Sequence, residues 1–244
     1  MAGREIVRAI SQERKESMLD HLADEIWTLP HDFKMMGIDI GTRTTLVRLS
    51  DGGLFLHAPG HLVPEAIDAI NELGPVRCIV APNDFHHLFI GEAAALWPEA
   101  KVFVSPGLPS KRSDLPDHEI LGDTPPEDWK ADLDQAWMRG APRVNEIVFF
   151  HRLSRTLVVT DLAFNVPDPG SFLLRLFMRI NGSFDRFATS RLMKSMYRDR
   201  AAARVSAEKI LKWDFDRLVL CHGNVVEQGA KALLESESAW LLKA

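Results

Sequence analysis

The stretch Val76-Arg77-Cys78-Ile79-Val80-Ala81-Pro82-Asn83-Asp84-Phe85-His86-His87-Leu88-Phe89-Ile90-Gly91-Glu92 decides how the rest of the chain is read. Its apolar run from Cys78 to Ala81 reads as a buried strand. Pro82-Asn83-Asp84 then forces a turn through backbone chemistry. Two adjacent histidines follow, and a helical pattern continues through Ala93, Ala94, Ala95, Leu96 and Trp97. In an open α/β sheet the crevice beyond the carboxyl end of a strand is where ligands bind, so His86 and His87 are site candidates.

Upstream, Ile6, Ile10, Met18, Leu22 and Ile26 recur at helical spacing among charges, which predicts an N-terminal helical arm over residues 1–27. From Trp27 to Leu56 the pattern is β: Phe33 to Ile38, then Thr44 to Leu49, a turn at Ser50-Asp51-Gly52-Gly53, and Leu54 to Leu56. Asp-Gly-Gly between such runs is a hairpin signal. Val63, Ala66, Ile67, Ile70 and Leu73 predict an amphipathic helix over 63–73, ended by Gly74-Pro75.

Downstream of the histidines, Lys101 to Val104 is a further strand, and Ser105 to Pro116 a loop carrying Lys111 and Arg112. An acidic excursion follows, with a short helix expected from Pro126 to Trp137 and Trp129 and Trp137 as packing anchors. Glu146 to Phe150 and Thr156 to Thr160 form a second β block that runs into Asp161. Residues 168–200 read as a helical insertion that mixes Phe172, Leu176, Phe177 and Ile180 with Arg175, Arg179 and Arg186. That composition fits a lid or packing insertion, or contact with a membrane surface or an anionic substrate. A helix over 201–213, a last strand from Asp216 to Cys221 ending at His222-Gly223, and a closing helix over 224–242 complete the chain. Strands in two blocks, each followed by helices, fit an α/β (α+β) four-layer αββα sandwich with mixed sheets, here residues 28–244 as one domain.

The 244 residues, 46% hydrophobic and 26% charged, have the make-up of an ordinary globular domain. A net charge of −5 supplies no basic field for nucleic acid. With two cysteines, Cys78 and Cys221, there is no structural zinc quartet, and such sparse usage suits a reducing compartment. No apolar run approaches the roughly 18 residues of a spanning helix, and no secretory signal is visible at the N-terminus, so a cytoplasmic location is expected. The absence of Gly-x-Ser-x-Gly, P-loop and dinucleotide glycine motifs leaves serine hydrolases, nucleoside triphosphatases and Rossmann dehydrogenases unsupported.

Several motifs in order resemble a known family. Asp39-Ile40-Gly41-Thr42-Arg43-Thr44-Thr45-Leu46-Val47-Arg48-Leu49, Ala81-Pro82-Asn83 with His86-His87, Ser105-Pro106-Gly107-Leu108, Glu146-Ile147-Val148-Phe149-Phe150-His151 and Ser154-Arg155-Thr156-Leu157 are similar to the DUF4336 branch of the metallo-β-lactamase superfamily. The resemblance spans roughly residues 28–244. It implies the αββα sandwich and a metal site that activates water for hydrolysis, with zinc, iron or manganese as the cofactor. On this resemblance His86 or His87 belongs to the metal loop, Asp161 stands where the family's bridging carboxylate lies, and His222 stands where a terminal metal histidine lies.

The chain also departs from that pattern. Hydrolases of the superfamily carry His-x-His-x-Asp-His in the first loop. With His86 in the final position, Ala81, Asn83 and Phe85 occupy the other three. In a slipped loop, Asp84, His86 and His87 would all point inward, with Asp84 and His87 as catalytic candidates. A further expected histidine is replaced by Asn145 and Glu146. Glu146 is either an oxygen ligand for iron or manganese, or a strand-start glutamate that is exposed or paired with a cation. His151 is either a ligand or proton shuttle or a capped turn histidine. His57, in the place of a family aspartate, is either an extra imidazole at the site or a loop histidine bonded to backbone.

Two functions follow. One is a hydrolase with an atypical, partly degenerate site, using a metal-bound hydroxide on an ester, thioester, amide or phosphoester. The other is a binding or assembly module on the same fold that has lost its metal. The substrate is an unidentified small molecule in the first case, and a homo-oligomer is compatible with either.

Overall fold

The computed structural model describes residues 18–35, 38–167 and 172–243. Within them the chain opens with β1 (Asp20–Ala23), β2 (Ile26–His31), β3 (Lys34–Met35), β4 (Ile38–Asp39), β5 (Thr42–Arg48) and β6 (Leu54–His57). Helix α1 (Pro64–Leu73), β7 (Val76–Ala81), α2 (Ile90–Leu96), β8 (Lys101–Val104), α3 (Leu108–Lys111) and β9 (Glu119–Ile120) follow. The second half holds β10 (Leu133–Trp137), β11 (Ile147–His151), β12 (Thr156–Val158), α4 (Phe172–Asn181), α5 (Arg191–Met196), α6 (Arg200–Ile210), β13 (Arg217–Val219), α7 (Ala230–Glu237) and α8 (Ala239–Leu242).

Among these residues one sheet runs β1-β2-β5-β6-β7-β8-β9 and the other β10-β11-β12-β13, with β3 and β4 as a separate ribbon. Alternation along the strands explains why they stack. In β6 and β7, Phe55, Cys78 and Val80 face the second sheet, while Leu54, Leu56, Ile79 and Ala81 face α1 and α2. In β11 and β12, Ile147, Phe149 and Val158 face the first sheet, and Val148, Phe150 and Leu157 face the layer that contains α6 and α7. Successive residues thus enter different cores, so the strands are apolar throughout rather than alternating with polar residues. Three cores between four layers give the αββα sandwich.

Trp129 locks the middle core. Its ring meets Phe103 edge-on at 4.5 Å between centroids, and its indole N–H donates to the side-chain oxygen of Gln135 at 3.0 Å. The segment expected to be helical from Pro126 to Trp137 instead turns through Trp129 and ends in β10, antiparallel to β11. Leu133 enters the middle core and Ala136 the outer one, a strand periodicity that outweighs the helix-start signal of Pro125-Pro126.

The N-terminal expectation also needs correction where the chain is described. Leu22 and Ile26, read as one helix face, lie on the hairpin β1–β2, which turns at Glu25 with φ of 60°. Ile26 is fully buried in the middle core. The earlier part of the arm, residues 1–17, lies outside the described residues.

Strand direction places the site. β6, β7 and β8 are mutually parallel, so the segments after His57, Ala81 and Val104 leave at one rim. β12 and β13 are parallel as well, which brings Asp161 and His222 to a common edge of the second sheet. The two rims are joined by backbone bonds from Asp84 N–H to the Val144 carbonyl and from Ile147 N–H to the Pro82 carbonyl, 2.9 and 2.8 Å.

Candidate metal centre

His86, Asp161 and His222 converge at this shared rim, with one ligating atom from each lying within 4.8 Å of the other two. The Nε2 atoms of His86 and His222 are 3.2 Å apart. Asp161 Oδ2 is 3.3 Å from His86 Nε2, and Oδ1 is 3.7 Å from His222 Nε2. His222 is oriented by the Gly41 carbonyl, which takes a 2.7 Å hydrogen bond from Nδ1 and so leaves the Nε2 lone pair facing the cluster. Phe164 stacks on the same imidazole at 5.6 Å.

Asn83 holds the first loop to the second sheet. Its amide nitrogen donates to Asp161 Oδ2 at 2.7 Å and to Thr160 Oγ1 at 2.8 Å, while its oxygen accepts the backbone N–H groups of Phe85 and His86. This Asx turn aims His86 at Asp161. The loop therefore adopts the register with His86 in the final position, not the slipped one. Asp84 points away and accepts from Ser105 Oγ at 2.6 Å and Asn145 Nδ2 at 2.8 Å. His87 lies beside Arg112, whose Nη1 is 3.2 Å from Nδ1 and donates to the His87 carbonyl.

The other imidazoles and the glutamate stand apart from the triangle. Glu146 spends both oxygens on backbone donors, Thr160 N–H at 2.7 Å and Asp161 N–H at 3.0 Å, so it braces the strand end that carries Asp161. It is 1% exposed, which overturns the reading of a solvated ion-pair partner. His151 sits at the opposite end of β11, its Nδ1 2.7 Å from Ser154 Oγ. His57 is fully buried under the loop between Phe55 and Phe149, and neither ring nitrogen has a hydrogen-bond partner. It is not backbone-bonded, and it is not a member of the triangle.

Electrostatics separates the two cluster histidines. Burial opposes charge on His86, but the Cys221 sulfur and the Asp161 carboxylate outweigh it and raise its pKa well above the ordinary imidazole range. Burial and then His86 lower that of His222. Burial would raise Asp161, yet His86, His222 and Asn83 hold it below the usual carboxylate range. Burial and the nearby Asp161 raise Glu146. Two further residues stand around the cluster, Cys221 and Arg43, neither of them among the site candidates of the sequence. The Cys221 thiol donates to the Arg43 carbonyl at 3.4 Å, and the Arg43 guanidinium donates to the Leu220 carbonyl. No sequence signal marks this contact, because it joins positions 177 and 178 apart.

The donor set suits a divalent cation. Two imidazoles and a carboxylate are the ligand types of catalytic zinc and of non-haem iron, and each of the three has an outer partner that fixes it. Beside the cluster opens a cavity of about 560 Å³, lined by His86, His87, Asp161 and His222 at one end. Leu174, Met178, Met193 and Met196 line it elsewhere.

A two-sheet αββα sandwich with a His/Asp cluster at its rim places the chain in the metallo-β-lactamase fold. It resembles a metallo-β-lactamase from Pontibacter korlensis at a TM-score of 0.62 and 15% identity, over 92% of this chain and 98% of the other. It also resembles FIM-1 from Pseudomonas aeruginosa in its mono-zinc form, at 0.62 and 13%, over 92% and 94%. The metal-soaked Flv1 flavodiiron core from Synechocystis sp. matches at 0.63 and 12%, over 91% of this chain and 60% of that one. No curated protein matches the sequence. The family model of the domain of unknown function DUF4336 matches residues 23–179, and the chain belongs to that family.

Proposed function

We propose that the protein is a metal-dependent hydrolase with one cation site, formed by His86, Asp161 and His222. The observation that carries this reading is the convergence of three ligating atoms within 4.8 Å, with the His222 ring already fixed by Gly41. Zinc, iron or manganese bound there would supply Lewis acidity that activates water and polarises the bond to be cleaved. Hydrolysis adds water across an ester, thioester, amide or phosphoester linkage, giving an acid and an alcohol, thiol or amine.

This chain's own groups have separable tasks in that reaction. Asn83 and Glu146 hold the carboxylate of Asp161 and the backbone that carries it. Burial, Lys111 and Arg112 push His87 down to about 4, so it presents a neutral imidazole in the cavity wall at neutral pH. Asp84, bonded to Ser105 and Asn145, supports the loop rather than meeting substrate. Ala81, Asn83 and Phe85 supply no imidazole or carboxylate for a second cation, which favours a mononuclear site. The test is elemental analysis of protein purified without added metal, paired with metal titration of stripped protein. About one equivalent of zinc, iron or manganese is expected. No metal in the first and no binding in the second would instead support the metal-free binding module.

A further inference from the structure

The cavity beside the cluster is lined by the cluster residues together with mostly apolar side chains. Phe33, Phe164, Leu174, Phe177, Met178 and Met193 are among its walls. Its volume of about 560 Å³ lies within the roughly 300–1,000 Å³ of small-molecule sites. Methionines and leucines dominate the side supplied by α4 and α5, and such flexible walls adapt to apolar groups of varied shape.

Helix α4 has a second face. Leu174 and Met178, four residues apart, are buried towards the cavity, whereas Phe172 is 75%, Leu173 68% and Ile180 60% exposed. On the cavity rim, Leu88, Phe85 and Leu192 are exposed as well. Apolar side chains so concentrated mark an interaction surface. Arg175, Arg179 and Arg191 lie on the same two helices, the charge that favours an anionic lipid surface over a neutral apolar partner.

Resting on the hydrolase reading above, we propose that the substrate is a single-chain amphiphile taken from a lipid surface. Its aliphatic chain fills the cavity and its polar linkage reaches His86, Asp161 and His222. The outer face of α4 lies on the surface from which the amphiphile is drawn.

Binding of saturated fatty acids from hexanoate to tetradecanoate, by displacement of cis-parinaric acid, tests the cavity without any requirement for metal. Affinity should rise about four-fold with each methylene while the chain still fits. Absence of binding, or affinity independent of length, overturns the proposal even where the protein holds one equivalent of metal. Absence of metal with length-dependent binding leaves the chain cavity standing and removes the hydrolase reading. Met196→Trp, which fills the cavity, should weaken dodecanoate binding at least ten-fold while the circular dichroism spectrum stays unchanged. Should that variant fail to fold, the wild-type length series decides.

For the surface, co-sedimentation with equimolar phosphatidylcholine and phosphatidylglycerol vesicles is expected. The triple variant Phe172→Ser, Leu173→Ser, Ile180→Ser should reduce it at least ten-fold yet keep the affinity for monomeric dodecanoate. No pelleting of the wild type, or a dimer in light scattering that the triple variant converts to monomer, overturns the lipid surface as the source.

Discussion

The imidazole of His222 is held by the carbonyl of Gly41, 181 residues earlier in the chain, through a 2.7 Å bond from Nδ1. That bond selects the tautomer whose Nε2 faces His86 and Asp161. Removing the imidazole with His222→Ala, or the carboxylate with Asp161→Ala, should abolish stoichiometric metal binding in elemental analysis. Full metal content in both variants would refute the assignment of the three ligands.

Asn83 touches no cation in the proposed site, yet it bonds Asp161 and two N–H groups of the loop that carries His86. Outer-shell partners of this kind typically contribute 10–100-fold to metal affinity. Asn83→Ala should therefore weaken metal binding by about that factor in a competition titration. An unchanged affinity would mean that the loop is positioned without it.

The buried ring of His57 predicts a pH dependence of stability. Burial, and then His86, push its pKa down to about 3 in the folded protein, against the 6.5 of the free side chain. The unfolded chain therefore binds a proton that the folded one refuses. The sign follows: this contribution is complete above pH 6.5 and is lost progressively as pH falls towards 3. Between pH 7 and pH 5 the loss from this group is about 2 kcal/mol. His57→Phe should flatten the acid limb of the wild-type stability curve by that amount in urea titrations. Parallel curves for the two proteins would show that the ring is protonated or partnered in the fold.

Gly223, next to His222, has φ of 91°, and a Cβ there would stand 2.2 Å from the Asn165 carbonyl oxygen. Gly223→Ala should cost on the order of 1–3 kcal/mol in denaturant unfolding and also lower metal affinity, since relief of the clash moves the adjacent imidazole. Wild-type values for both would show that the backbone yields elsewhere.

Much of the architecture was legible because each strand carries its own burial pattern. The hairpin through Asp51-Gly52-Gly53, the helix over 63–73 and the run Cys78 to Ala81 could be read from local residues alone. Leu22 and Ile26 could not, since a spacing of four fits one helix face as well as two strands of a tight hairpin. Pro125-Pro126 misled as well, a helix-start signal that here precedes a turn through Trp129 and the edge strand β10. At the rim, the order of His86, Asp161 and His222 along the chain was legible from the family pattern. Whether Asp84 and His87 joined His86 in turning inward was not, because that depends on Asn83 reaching Thr160, a contact 77 residues away.

Gly41 and Arg43 stand at the start of β5 in the first sheet, and their bonds run to residues 220–222, which follow the last strand. On the ribosome, the residues of the first sheet and of the histidine loop are all synthesised before His222. The triangle of His86, Asp161 and His222 is therefore complete only when the segment after β13 has docked. A product interrupted after α6 would keep the first sheet's core residues but lack His222, one corner of that triangle.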